Sequence, residues 1–358
     1  MLLEGIFPAI TTPFYPDGRL YLRKLEHNVE RYSRTSSAGL VILGSTGEAV
    51  MLSDDESRDV LRHAASAAAP DKVLLAGVGR ESLTESLRLA EYAAGRDYDA
   101  VLVRTPHYYA PYYATASATG GLVTYYRALA DRSALPVVLY SIPKFTHCEI
   151  PVDIVAELAQ HPNIIAIKDS SGSLERLAAL VAATRSAPLR STLVTPVFTA
   201  VTSRMMVAQE EMSLASGFLS ADLLTTGLPP TTSVVPPIVK TMRKKDIGFQ
   251  VLCGSAESLL SALDAGVSGG VLAFAAPAPQ ACQEVYVAWK DNDRTVAEEK
   301  QQRVVEASRA VTGKFGIAGI KHACDLNGYY GGVPRIPLLP LTAEQQSEVA
   351  TAMAAVRN

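Results

Sequence analysis

Eight short apolar runs, each followed by a stretch of different periodicity, constrain this chain more than any other feature. They read "FPAITTPF" (7–14), "GLVILGST" (39–46), "KVLLAGVG" (72–79), "DAVLVRTP" (99–106), "PVVLYSIP" (136–143), "IIAIKDS" (164–170), "FQVLCGS" (249–255) and "GGVLAF" (269–274). Between them, apolar residues recur at helical spacing. "LSDDESRDVLRHAASAA" opens on Ser53 with Glu56 three residues later, a capping box, and "SLTESLRLAEYAA" also starts on a serine. Strand and helix in regular alternation make parallel βα units, since a parallel pair needs a long crossover that a helix supplies. Several runs carry polar residues only at their C-terminal ends, as strands covered on both faces do. Eight units, with no G-x-G-x-x-G turn opening the first, predict a (β/α)8 TIM barrel rather than an open doubly wound sheet.

The 358 residues exceed what the eight units need. Residues 1–292 are assigned to the barrel. Residues 293–358, with "TVAEEKQQRVVEASRAVTGK" and "LTAEQQSEVATAMAAVRN", read as a C-terminal helical appendage. One interval breaks the rhythm: about sixty residues, 186–247, separate the sixth helix from the seventh strand, where about two to six are usual. This insertion holds "MMVAQEEMSLASGFLSADLL", of helical character, and "TTGLPPTTSVVPPIV", whose prolines forbid a regular helix. Because it joins a helix to the next strand, it should emerge at the N-terminal face of the barrel. That favours a role in assembly or stability over one as a lid.

With 33 basic and 36 acidic residues the net charge is only −3, which favours neither nucleic acid nor an anionic membrane as partner. The opening residues include Pro8, Pro13 and Asp17, and no run reaches about eighteen apolar residues, so a soluble cytoplasmic protein is expected. Cys148, Cys253, Cys282 and Cys324 lie far apart without a C-x-x-C pair, and read as core thiols rather than a zinc site or disulfide framework.

Catalytic groups of such barrels occupy the C-terminal ends of strands. Those ends carry Thr11 and Thr12; Gly44, Ser45, Thr46, Gly47 and Glu48; His107, Tyr108 and Tyr109; Tyr140; Lys168; Gly254 and Ser255; and Leu272. The set is rich in hydroxyls, has a single lysine, and offers no His/Asp/Glu cluster for a metal. Desolvation favours the neutral form of an amine, and a neutral amine can attack a ketone to give a Schiff base. The competing reading of Lys168 is an ion pair with adjacent Asp169. "GSTGE" offers backbone amides for a carboxylate. Tyr140 could exchange protons through Ser45, or simply pack in the barrel mouth. The tyrosines of "TPHYYAPYY" suit either a pocket wall or a subunit contact.

Together, "GSTGE", "TPHYY", "VVLYSIP", "IAIKDSSG", "VLCGS" and "KFGIAGIKHACDLNGYYGGVPRIPLLPL" resemble the pyruvate-dependent class I aldolases, the family of dihydrodipicolinate synthase and N-acetylneuraminate lyase. The likeness spans about residues 4–185 and 248–345. The resemblance implies Lys168 as the Schiff-base lysine and Tyr140 as the proton shuttle. Ser45 and Thr46 would be the pair that holds the pyruvyl carboxylate, with Gly47, Gly254 and Leu272 also lining the substrate site. Tyr108 would complete a relay through Ser45 from the neighbouring subunit of a tight dimer, two of which make a homotetramer. No cofactor is implied beyond the covalent Schiff base on Lys168, and the partners are a 2-oxo acid (pyruvate or a 4-hydroxy-2-oxo acid) and an aldehyde.

Two positions depart from the family pattern. Dihydrodipicolinate synthases usually place an arginine two residues after the proline of the fifth-strand motif, where it binds the aldehyde's carboxylate. Here Phe145 stands there, beside Lys144. Pro277 occupies a turn that often holds asparagine. The wording of "VVLYSIP" and "FGIAGIK...GYYGG" is most similar to 4-hydroxy-2-oxoglutarate aldolase, which is therefore the expected activity. Another aldehyde, as in dihydrodipicolinate synthase, is the alternative; a barrel that binds a 2-oxo acid without turnover is the rival of another class.

Overall fold

The computed structural model describes residues 1–113, 120–208 and 242–356. Ten strands are present among the described residues: β1 (Gly5–Pro8), β2 (Gly39–Ile42), β3 (Val73–Gly77), β4 (Ala100–Arg104), β5 (Val137–Ser141), β6 (Ile164–Asp169), β7 (Arg190–Val194), β8 (Arg243–Ile247), β9 (Gln250–Cys253) and β10 (Gly269–Leu272). Eight of them form one parallel sheet in the order β1-β10-β9-β6-β5-β4-β3-β2. A parallel bridge between Ala9 and Val41 joins its two edges, helped by the Ile10 amide donating to the Val41 carbonyl at 3.1 Å. The expected TIM barrel is thereby observed.

Each barrel strand is shorter than the apolar run that announced it, for local reasons. The second run stops at Ile42 because Leu43 takes a left-handed φ of 60° and the chain tightens into a 3₁₀ turn at Ser45–Gly47. Alternation along the strands splits the interior into two layers. Phe7, Val41, Leu75, Leu102, Val138 and Tyr140 fill the barrel lumen, while Val101, Val103, Leu139 and Ile167 pack outward under the helices. The C-terminal helices Arg294–Ser308, Lys314–Leu326 and Ala343–Met353 add Val304, Ile320, Val349 and Met353 to that outer core. The Ser53/Glu56 capping box forms as expected.

Strands β7 and β8 pair antiparallel, Arg190 opposite Ile247, as a hairpin within the insertion. Residues of this hairpin region, Thr195 and Phe198 among them, line a cavity of about 320 Å³ together with Gly5, Ala38 and Val73 at the starts of β1–β3. The described part of the insertion therefore lies at the N-terminal face, opposite the strand ends that carry the candidate site. Residues 209–241, with most of the segment expected to be helical and the proline-rich segment, lie outside the described residues. The four cysteines are free and buried, and burial pushes the Cys282 thiol up to about 12. Among the described residues no helix is long and apolar enough to cross a membrane.

Candidate active site

Lys168 and Asp169 end β6, and alternation sends their side chains to opposite faces. Asp169, with a fully buried side chain, faces outward: its carboxylate accepts from Arg176 Nε at 2.8 Å and from Ser171 Oγ at 2.5 Å. Arg176 belongs to the following helix, Leu174–Ala183, and also bonds Glu149 and the Ile150 carbonyl. The Lys168–Asp169 ion pair is thus absent. Lys168 points into the lumen, 4% exposed, and among the described residues no carboxylate pairs with it.

What meets Lys168 is Tyr140. The two are partners in the β5/β6 register, and Lys168 Nζ lies 4.0 Å from the centroid of the Tyr140 ring. The Tyr140 hydroxyl is in turn 3.4 Å from Ser45 Oγ. Three residues from β5, β6 and the turn after β2 are thus brought together, the amine over the ring face and the ring's hydroxyl beside that of Ser45. The turn itself is a single 3₁₀ winding bounded by two left-handed residues, Leu43 (φ 60°) and Glu48 (φ 54°). A winding this short cannot satisfy the amides at its own start, and those of Ser45 and Thr46 have no acceptor among the described residues.

The remaining expected residues divide. Gly47 sits in the turn, its carbonyl accepting from Thr12 Oγ1 at 2.7 Å. Gly254 follows β9, and a Cβ there would stand 2.0 Å from Ser170 Oγ, so only glycine allows this approach. Leu272 does not join the site: its side chain is fully buried in the outward layer, because an even step from Gly270 faces the helices while Val271 faces the lumen. Tyr108 also stands apart within this chain, 74% exposed and edge-on to Tyr109 at 5.0 Å.

Other site residues escaped the sequence reading. Glu81 accepts from the amides of His107 and Tyr108, both at 2.9 Å, and from Arg104 at 2.9 Å, fixing the "TPHYY" turn. Burial opposes ionisation of Glu81, but the Tyr108 amide, Arg104 and the His107 amide outweigh it and hold its pKa down. Beneath "GSTGE" lies Lys321, with no exposed side-chain surface, 2.6 Å from Glu48 and donating to the Thr12 and Val333 carbonyls at 2.9 Å each. Burial lowers the pKa of this ammonium against the opposing pull of Glu48. The other Glu48 oxygen accepts from the Arg335 amide at 2.8 Å. A lysine directly after the apolar stretch "IAGI" was the available signal. Lys321→Met leaves Glu48 buried without its cation. The expected cost is about 3–5 kcal/mol, read as a lower urea midpoint at unchanged slope.

A buried amine over the face of a phenol ring, with a hydroxyl beside the phenol and all at the C-terminal mouth of a (β/α)8 barrel, fits one class: barrel enzymes that work through a lysine imine. The model of the dihydrodipicolinate synthetase family matches residues 2–189 and 226–356, and the chain belongs to that family. The gap between the two matched stretches, residues 190–225, falls within the insertion.

Among curated relatives, the 4-hydroxy-tetrahydrodipicolinate synthase of Methanothrix thermoacetophila is 29% identical over 348 residues, 97% of this chain and 95% of that protein. The synthase of the same name from Xanthomonas axonopodis pv. citri is 42% identical over 182 residues, 51% of this chain and 58% of that protein. Among solved structures, dihydrodipicolinate synthase DapA-2 of Bacillus anthracis superposes with a TM-score of 0.77 at 22% identity, covering both chains completely. YagE of E. coli K12, a family member solved in complex with pyruvate, gives 0.76 at 23% identity over 99% of each chain. The chain is accordingly a class I, Schiff-base lyase or aldolase.

Proposed function

We propose that the protein joins pyruvate to an aldehyde, or reverses that reaction, in the manner of a 4-hydroxy-tetrahydrodipicolinate synthase. The observation that carries this reading is the Lys168–Tyr140–Ser45 cluster, with Lys168 Nζ 4.0 Å from the centroid of the Tyr140 ring and the Tyr140 hydroxyl 3.4 Å from Ser45 Oγ. Lys168 attacks the ketone of pyruvate and water leaves, giving an iminium. The iminium withdraws electrons from C3, whose proton is lost to give an enamine that attacks the aldehyde carbon. Tyr140 takes up and returns protons, passing them to Ser45, and hydrolysis frees Lys168. Ser45 and Thr46 hold the pyruvyl carboxylate. No metal or other cofactor is required, since the iminium itself is the electron sink.

The names of the relatives support the synthase reading over 4-hydroxy-2-oxoglutarate cleavage, the activity that the wording of the sequence favoured. One observation keeps cleavage as the second reading: Phe145, 56% exposed, offers no donor where the synthases have an arginine. Tyr108, Tyr109 and Tyr112 are all exposed, at 74%, 63% and 80%. That exposure suits delivery of Tyr108 to a neighbouring copy within the homotetramer that the family resemblance implies. Pyruvate consumption with aspartate 4-semialdehyde against glyoxylate tests the substrate. At least a tenfold preference for the semialdehyde is expected; the reverse preference would establish the second reading, and inertness toward both would reject the two together.

A further inference from the structure

The geometry points to Arg104 as the group that binds a carboxylate on the aldehyde partner, an assignment that rests on the reading proposed above. Arg104 ends β4 in step with Ala100 and Leu102, both of which face the lumen, so its side chain starts inward. The register sets Arg104 opposite Tyr140 and Tyr140 opposite Lys168, which puts the three on one layer of the barrel mouth. Neighbouring strands stand about 4.8 Å apart, so Arg104 is two strands from the imine-forming lysine. A Cβ at Gly79 would stand 2.7 Å from Arg104 Cγ, and glycine there makes room for the arginine. Ser45, Gly77, Gly79, Leu102, Arg104 and Tyr140 all line one small cavity of the mouth.

The guanidinium is only partly used. Nη1 donates to Glu81 at 2.9 Å and to the Thr105 carbonyl at 3.3 Å, and lies 2.9 Å from His107 Nδ1. Nε and Nη2 have no partner among the described residues, although the side chain is only 15% exposed. An arginine that served solely as a strut for the "TPHYY" turn would need the one nitrogen. The unused edge is the pair of parallel donors that a carboxylate engages in bidentate fashion. Pyruvate's own carboxylate is one bond from the imine carbon and is assigned above to Ser45 and Thr46, so the free donors of Arg104 in the same cavity are left for a carboxylate of the second substrate. Phe145 supplies no charge for it, and Arg104 does.

The test compares succinic semialdehyde with butanal, aldehydes of equal chain length with and without the carboxylate, at saturating pyruvate. The wild-type protein should favour succinic semialdehyde in kcat/KM by about 10–100-fold, the worth of charge-assisted hydrogen bonds. Arg104→Gln should abolish that preference and Arg104→Lys retain part of it. The half-saturating pyruvate concentration for borohydride-trapped adduct should shift less than about threefold in both variants, within about 0.7 kcal/mol. Equal loss toward both aldehydes, an equal weakening for pyruvate, or full reproduction of the effect by Glu81→Gln would overturn the assignment while leaving the imine chemistry intact. Absence of any pyruvate adduct in the wild-type protein would remove both.

Discussion

Lys168→Ala is expected to lower turnover by on the order of 10³-fold or more, about 4 kcal/mol or more of lost transition-state stabilisation. No neighbouring group can replace the lost amine. The side chain is 4% exposed and faces Tyr140, and the fully buried Lys321 is committed to Glu48 and two carbonyls below the turn. Because Lys168 forms no ion pair among the described residues, its removal strands no buried carboxylate. The variant should therefore melt within a few degrees of the wild-type protein. Steady-state pyruvate consumption measured beside a thermal melt checks both halves. A variant that retains a tenth of the activity would show that another residue carries the imine.

The second large effect belongs to Tyr140→Phe. The substitution keeps the ring beneath Lys168 Nζ and removes only the hydroxyl that lies 3.4 Å from Ser45 Oγ. Positioned proton transfer contributes roughly 10²–10⁴-fold, so kcat should fall by that amount while the pyruvate adduct still forms, more slowly. Single-turnover trapping against time separates this from loss of binding. A normal kcat would assign Tyr140 to packing alone.

Much of the fold was legible because its cause is local. Short continuous apolar runs between period-3.6 stretches specify strands and helices without reference to distant residues, and eight repeats leave few ways to bury both faces of every strand. Strand ends were less legible: the run through Thr46 stops at Ile42 because Leu43 turns left-handed, which nothing in "GLVILGST" announces. Lys168 could be found because a charge that ends an unbroken apolar run, as in "IIAIKDS", has few reasons to exist. Alternation alone separates it from Asp169, whereas Arg176, the true partner of Asp169, becomes apparent only once the next helix packs.

Leu272 shows the same rule neglected, since its neighbour Val271 has the lumen-facing parity. The groups that hold the site in place were the least legible. Lys321 reaches Thr12 across 309 residues of sequence, and Glu81 meets His107 across 26. Tertiary contacts of that kind leave no periodic trace. Arg104 sat in plain view at the end of "DAVLVRTP", yet its importance depends on its register with Tyr140 and on the space left by Gly79.

The imine is the centre of the account, and one measurement addresses it directly. The protein is incubated with pyruvate, reduced with borohydride, and its intact mass and tryptic peptides are determined. The expected result is a single added reduced pyruvyl group, located on the peptide that contains Lys168 and absent from Lys168→Ala. An unmodified protein, or a modification elsewhere that persists in Lys168→Ala, would contradict it.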